Sequence, residues 1–231
     1  MDVAQQMDQQ YRYQRYVYNW SRKYYLLGRD TLLQEMPVQA GDTLLEIGCG
    51  TARNLVKMAY RFPSARLFGV DASAVMLETA QTKLRDTLYA DRIQLRQGLA
   101  GQLHYRDFGL DKPFDHVVFS YVLSMIPQWQ TALEQTLPLL KPRGCLHIVD
   151  FSDQATMPAW FRKLLLTWLA WFHVHPDPAM PGFLQQLAAK HGDHLTLRYL
   201  HGRYALLAHY QKKVSDEHQP DIPHLSQYLD L

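Results

Sequence analysis

Residues 43–50 read Thr-Leu-Leu-Glu-Ile-Gly-Cys-Gly: a short apolar run that stops at two glycines, with a helical pattern following over 52–61. Such a run reads as a fully buried strand, and the glycines let the chain turn sharply at its end. The same unit recurs. Apolar stretches at 66–70, 92–96, 115–119 and 144–150 alternate with helical patterns at 52–61, 73–88 and 128–140. Continuous rather than alternating apolar strands, separated by helices, predict a mainly parallel sheet covered on both faces. The last third differs. An aromatic-rich helical pattern covers 158–175, and a second helix begins near Pro181 and stops at Gly192. The stretches LTLRYL and RYALLAHYQ then read as two strands joined by a tight turn at His201-Gly202. The expected fold class is α/β, a mainly parallel seven-stranded sheet with an antiparallel C-terminal hairpin and helices on both faces.

Composition narrows the function classes. The chain has 231 residues, 47% of them hydrophobic, and a net charge of +2. That supports one sizeable core and lacks the broad basic excess of a nucleic-acid surface. The two cysteines, Cys49 and Cys145, have no second pair for a metal site or disulfide framework. The polar N-terminus lacks the pattern of a secretory signal, and no apolar run is long enough to span a membrane.

The glycine loop, Glu46-Ile-Gly-Cys-Gly-Thr-Ala-Arg-Asn54, leads into a helix whose N-terminal N–H groups face any ligand above the strand. Asp71, ending the next strand, is placed to hold two ribose hydroxyls. A dinucleotide fingerprint would need a third glycine at position 53, which is Arg53. The acid two residues before the first glycine, the LLKPRG turn and the terminal hairpin resemble class I S-adenosylmethionine (SAM) methyltransferases over about residues 40–211. The resemblance implies SAM as cofactor and no metal. It implies that Glu46, Gly48, Cys49 and Gly50 line its methionine and ribose part, with Cys49 only a small loop residue. Asp71 would take the ribose diol, Ala72 and Met76 would flank adenine, and Gly98, Leu99 and Ala100 would follow the third strand. Many relatives carry Asp where Leu99 stands, so the adenine amino group needs another partner here. Ser120 and Tyr121 would border the reacting methyl.

Four stretches, YRYQRYVYNWSRKYYLLGRD, GLAGQL, FDHVVFSYVLSMIPQW and LHIVDFSDQ, resemble the bacterial betaine-lipid N-methyltransferases that trimethylate diacylglycerylhomoserine. This implies a lipid acceptor at a membrane surface and a cytoplasmic protein working peripherally on the inner face. Homodimerisation and association with the enzyme that makes the lipid are left open, as are a small amine or hydroxyl acceptor and a non-catalytic SAM-binding module. The divisions expected are an N-terminal lid-helix region at 1–36, a SAM-binding domain at 37–213 with a helical insertion at 158–192, and a polar tail at 214–231.

An amine of pKa about 8 to 9 costs only about 1–2 kcal/mol to deprotonate near neutral pH, so positioning outweighs a strong base. Aromatic faces suit the cationic centre. In YRYQRYVYNWSRKYYLLGR, Tyr11, Tyr18 and Tyr25 are seven apart, each followed four residues later by Arg15, Arg22 or Arg29. On a helix these share a face. Tyr25, Tyr121 and Asp150 are the expected catalytic groups, although tyrosines at this spacing also cover cores and a strand-end acid such as Asp150 also caps turns. Tyr18, Arg22 and Ser124 are expected to hold substrate and Arg29 the cofactor carboxylate, with Gly28 breaking the helix to aim it. Arg12 and Arg15 read as surface or lipid-phosphate contacts. His104, His116 and His147 are the candidate bases, the latter two expected to face packing or backbone partners; His173 and His175 lack a second cluster for a metal. A stripe of Trp160, Leu164, Trp168 and Trp171 fits either packing, against the sheet or in a dimer, or a lipid surface, with Arg162 and Lys163 at headgroups.

Overall fold

The structure is a computed structural model and describes residues 26–214. A short helix α1 (Arg29–Glu35) precedes β1 (Thr43–Ile47), α2 (Arg53–Arg61), β2 (Arg66–Asp71), α3 (Ala74–Arg85) and β3 (Ile93–Gln97). The chain continues through β4 (Phe114–Ser120), α4 (Trp129–Thr136), β5 (Leu140–Phe151), α5 (Ala159–Ala170), α6 (Met180–His191), β6 (His194–Leu200) and β7 (Ala205–Gln211). The seven strands form one sheet in the order β3-β2-β1-β4-β5-β7-β6. Neighbours among β1 to β5 are parallel, while β7 runs antiparallel to both β5 and β6. Every residue of β1 is buried, as its uninterrupted apolar run requires; β6, at the edge, alternates between half-buried and exposed positions. Leucines from α1, α2, α3 and α5 fill one side of the sheet, and α4 and α6 pack with Phe108 and Phe114 on the other.

Several boundaries differ from expectation for local reasons. The helix expected over 128–140 ends at Thr136, because Pro138 tightens the next turn into a 3-10 helix over Leu137–Leu139. β5 extends back through the LLKPRG stretch. Its pairing with β4 shifts register between Phe114 and His116, and Arg143 adopts a left-handed φ of 64°. The turn after β6 is wider than His-Gly, since His201, Gly202 and Arg203 all have positive φ and β7 begins at Ala205. Gly28 caps α1 at a φ of 83°, and a Cβ there would lie 2.6 Å from Leu200 Cδ1. α1 therefore begins at Arg29, while the helix expected to end at Gly28 lies mostly outside the described residues.

Register also groups histidines that are far apart in sequence. His116 Nδ1 lies 3.0 Å from His147 Nε2, and His147 Nδ1 lies 2.8 Å from His209 Nδ1. Carboxylates close both ends, with Asp42 Oδ2 3.1 Å from His116 Nε2 and Glu35 Oε2 3.5 Å from His209 Nε2. These histidines therefore face one another and the two acids, not backbone partners. Cys145 joins them: one donor atom each of His116, Cys145 and His147 lies within 4.8 Å of the others. A reading by sequence spacing leaves Cys145 alone because only strand pairing assembles this cluster.

Three neutral imidazoles carry three N–H groups, one fewer than the four contacts along the row can use. Burial, followed by the neighbouring imidazoles, holds His147 well below its ordinary range; burial also lowers His116 and His209, against the pull of Asp42 and Glu35. A histidine whose pKa is lowered by folding contributes less stability as pH falls below its unfolded value near 6.5. Asp150, raised to about 6, acts in the opposite sense, its contribution being lost as pH rises from 3.8 to about 6. A comparison of variants separates the two. His147→Leu should cost about 1–3 kcal/mol at pH 8, because it strands His116 and His209. It should also reduce the loss of thermal stability between pH 7.5 and 5.5 relative to the unsubstituted protein, as read by thermal melts.

Candidate active site

The ends of β1 and β2 are joined by the backbone of the glycine loop. Gly48 and Cys49 both donate N–H to the Val70 carbonyl, at 2.8 and 2.9 Å. Gly48 has a φ of 72°, and a Cβ there would lie 2.4 Å from Val122 Cγ2, so any side chain would collide with the loop after β4. Asp71 then fixes the loop: its Oδ2 accepts the Gly50 N–H at 2.7 Å and its Oδ1 the Ser73 N–H at 3.0 Å. Ser73 in turn caps α3 by accepting the Met76 N–H.

Above these strand ends opens a cavity of about 580 Å³. Gly48, Gly50, Asp71, Ala72, Met76, Gly98, Leu99, Ala100 and Tyr121 all line it, so most of the residues expected around a cofactor share one surface. The far wall was not anticipated residue by residue. It comprises Val122, Met125, Ile126 and Pro127, with the polar side chains of Gln102, Gln128, Thr131 and Gln135. The usable signal was the stretch SYVLSMIPQW, whose apolar residues follow a strand end without helical or strand periodicity.

Other expected residues lie near the cavity without lining it. Glu46 is buried, and its Oε1 accepts from Asn54 Nδ2 at 2.7 Å, tying β1 to α2. Cys49 is buried; desolvation, then the Asp71 and Glu46 carboxylates, push its thiol well above the ordinary range, which makes it unreactive. The Ser120 hydroxyl is buried with no hydrogen-bond partner among the described residues. Arg29 is buried, with its Nε donating to the Leu26 carbonyl at 3.2 Å. Tyr121 lines the cavity, but its hydroxyl donates to the Leu27 carbonyl, fastening the segment before α1 to the site. Its φ of 56° turns the chain sharply after β4. Tyr11, Arg12, Arg15, Tyr18, Arg22 and Tyr25 lie outside the described residues.

Asp150 is wholly buried at the end of β5 and does not line the cavity. Its Oδ2 accepts the Ser124 N–H at 3.2 Å and its Oδ1 accepts the Phe151 N–H at 2.8 Å. Desolvation raises its pKa to about 6, against hydrogen bonds from Ser124 and the backbone. The carboxylate thus braces the loop carrying Tyr121, Val122 and Met125. Ser124, also buried, gives its carbonyl to the His175 N–H at 2.7 Å, which connects this loop to the segment after α5.

Residues 45–146 match the family model of the methyltransferase domain. The match spans β1 to β5 and includes the glycine loop, Asp71 and the cavity walls. Curated relatives include the demethylmenaquinone methyltransferase of Lactobacillus johnsonii, 31% identical over 64% of this chain and 58% of the relative. That of Oceanobacillus iheyensis is 30% identical over 54% of this chain and 51% of its own. The chain thus spans little more than half the length of these relatives. Among solved structures, a putative methyltransferase in complex with the Haloferax volcanii Trm112 activator superposes with a TM-score of 0.70 at 16% identity, covering 91% of this chain and 99% of that one. The Haemonchus contortus phosphoethanolamine N-methyltransferase 2, in complex with SAM, gives 0.63 at 14% identity, over 81% of this chain and 52% of that one. At those identities the structures establish a shared Rossmann-like fold.

Two outcomes test this site. Asp71→Ala should weaken SAM binding by about tenfold to a hundredfold, the worth of charged hydrogen bonds, as measured by calorimetry. For any acceptor that is turned over, kcat should fall as pH drops through about 6, when Asp150 gains its proton and loosens the Ser124 loop. Asp150→Asn should lower kcat at pH 8 and abolish that limb of the profile.

Proposed function

We propose that this chain is a SAM-dependent N-methyltransferase whose acceptor is the amine of diacylglycerylhomoserine, methylated three times in succession. The observation that carries the methyl-transfer part is the single cavity surface shared by the glycine loop, Asp71 and the Gly98–Ala100 turn. Its volume falls within the range of small-molecule sites. The residues suit the cofactor. Asp71 accepts the Gly50 and Ser73 N–H groups through separate oxygens, and a carboxylate is the right kind of acceptor for a ribose diol. Leu99 offers no acceptor to an adenine amino group, but the side-chain amides of Gln102, Gln128 and Gln135 line the same cavity.

When bound, SAM supplies an electrophilic methyl on a sulfonium, which the amine lone pair takes up as the carbon–sulfur bond breaks. The chain's own residues have positioning work to do. Tyr121 presents a ring in the wall while its hydroxyl is held by Leu27, so the ring and not an ionised phenol faces the site. Burial, first, keeps that hydroxyl well above its ordinary pKa. Asp150 keeps the loop in place from beneath. No described side chain lining the cavity other than Asp71 carries a charge, and that suits a cationic product which must leave or be methylated again.

The acceptor assignment is supported by the four sequence stretches that resemble betaine-lipid N-methyltransferases, and these fall on separate parts of the fold: the approach to α1, the turn after β3, β4 with its loop, and β5. The similarity to demethylmenaquinone methyltransferases supports a second reading, methylation of a lipid-borne quinol ring. Purified protein incubated with SAM and either diacylglycerylhomoserine or demethylmenaquinol, with products analysed by mass, separates them. Mono-, di- and trimethylated homoserine lipid is the expected result. Methylated quinone with unmodified homoserine lipid would replace the first reading with the second, and SAM binding with no turnover of either would reject both.

A further inference from the structure

α5 presents large apolar side chains to solvent on a single face. Trp160 is 70% exposed, Leu164 63% and Trp171 70%. At about 100° per residue these three fall within about 40° of one another, and Trp160 and Trp171 are about 16 Å apart along the axis. Leu165 and Leu169, on the opposite side, are buried against the sheet. Trp168 lies between the two faces and packs edge-on to Phe172, at 5.0 Å, so it leaves the outer stripe. Isolated exposed residues such as Tyr60 and Leu88 need no explanation, but a tryptophan at each end of one outward helical face with a leucine between does.

The charge that the local chain brings to this face is of one sign. From residue 154 to 176 the chain carries no acid, and exposed Lys163 lies about 60° from Trp160 around the helix, beside the stripe. The helix also adjoins the cavity: Phe172, just past its end, packs with Met125 on Met76, and both methionines line the cavity wall.

We propose that the outer face of α5 docks on an anionic lipid bilayer, with Trp160, Leu164 and Trp171 entering the interface and Lys163 at lipid phosphates. Tryptophan suits that depth, being apolar in bulk with one polar N–H, and a helix with its stripe at both ends lies flat in the surface plane. Docked so, α5 brings the Met125 rim of the cavity toward the membrane, where an acceptor headgroup can reach it while its chains stay in lipid. The purpose rests on the lipid-acceptor reading; the surface itself does not.

Flotation of the full chain with vesicles of equal phosphatidylglycerol and phosphatidylcholine tests the proposal, with light scattering of the same samples. The unsubstituted protein should float with these vesicles and much less with phosphatidylcholine alone. Trp160→Ser with Trp171→Ser should reduce the floating fraction at least fivefold while SAM affinity, read by calorimetry, shows the fold intact. Lys163→Gln should weaken the preference for anionic vesicles. Undiminished flotation of the tryptophan variant would overturn the proposal. So would a dimer that the tryptophan substitutions dissociate in a protein that never floats, since a second copy would then cover the face. Vesicle binding without methylation of any lipid would sink the acceptor assignment and leave the docking surface standing.

Discussion

The Asp71 carboxylate holds together the parts on which the site depends. With one oxygen on the Gly50 N–H and the other on the Ser73 N–H, it joins the loop after β1 to the start of α3. The Val70 carbonyl, accepting from Gly48 and Cys49, repeats the connection one residue earlier. Each strand end thereby fixes its neighbour's turn, and the opening between them is a consequence. Hydrogen bonds to an ionised carboxylate are about twice as strong as neutral ones, so this is a firm floor for a cavity.

Around that floor the protein uses buried polar groups as struts and leaves the cavity wall mostly apolar. Glu46 ties β1 to α2 through Asn54, Asp150 supports the Ser124 loop, and the Tyr121 hydroxyl ties the segment before α1 to the loop after β4. Groups that resemble catalytic acids in the sequence are thus structural at their first contact. A methyl-transfer site tolerates this economy because alignment and exclusion of water, rather than strong acid–base chemistry, supply most of the acceleration.

Much of the architecture was legible. The apolar runs located the strands to within a few residues, except that β5 starts earlier and β7 later than expected. The glycine loop and Asp71 were found because their residue types have no cheaper use at strand ends. Asp150 was harder to interpret: a strand-end acid looks the same in sequence whether it faces a cavity or a backbone N–H behind it. The α5 stripe was legible as a period, yet the sheet takes Trp168 partly inward, a distinction of about 80° around the helix that composition does not encode.

The sequence by itself determined the alternation of strand and helix, the loop that turns between β1 and α2, and the pairing of acids at adjacent strand ends. These are local matters, governed by periodicity and by which residues tolerate a sharp turn. Tertiary structure alone decided that His116, His147 and His209 form one row between Asp42 and Glu35, that β7 lies between β5 and β6, and that the tryptophans at the two ends of α5 point outward. Each depends on strand order, register or helix rotation, which are settled by contacts between residues far apart in the chain.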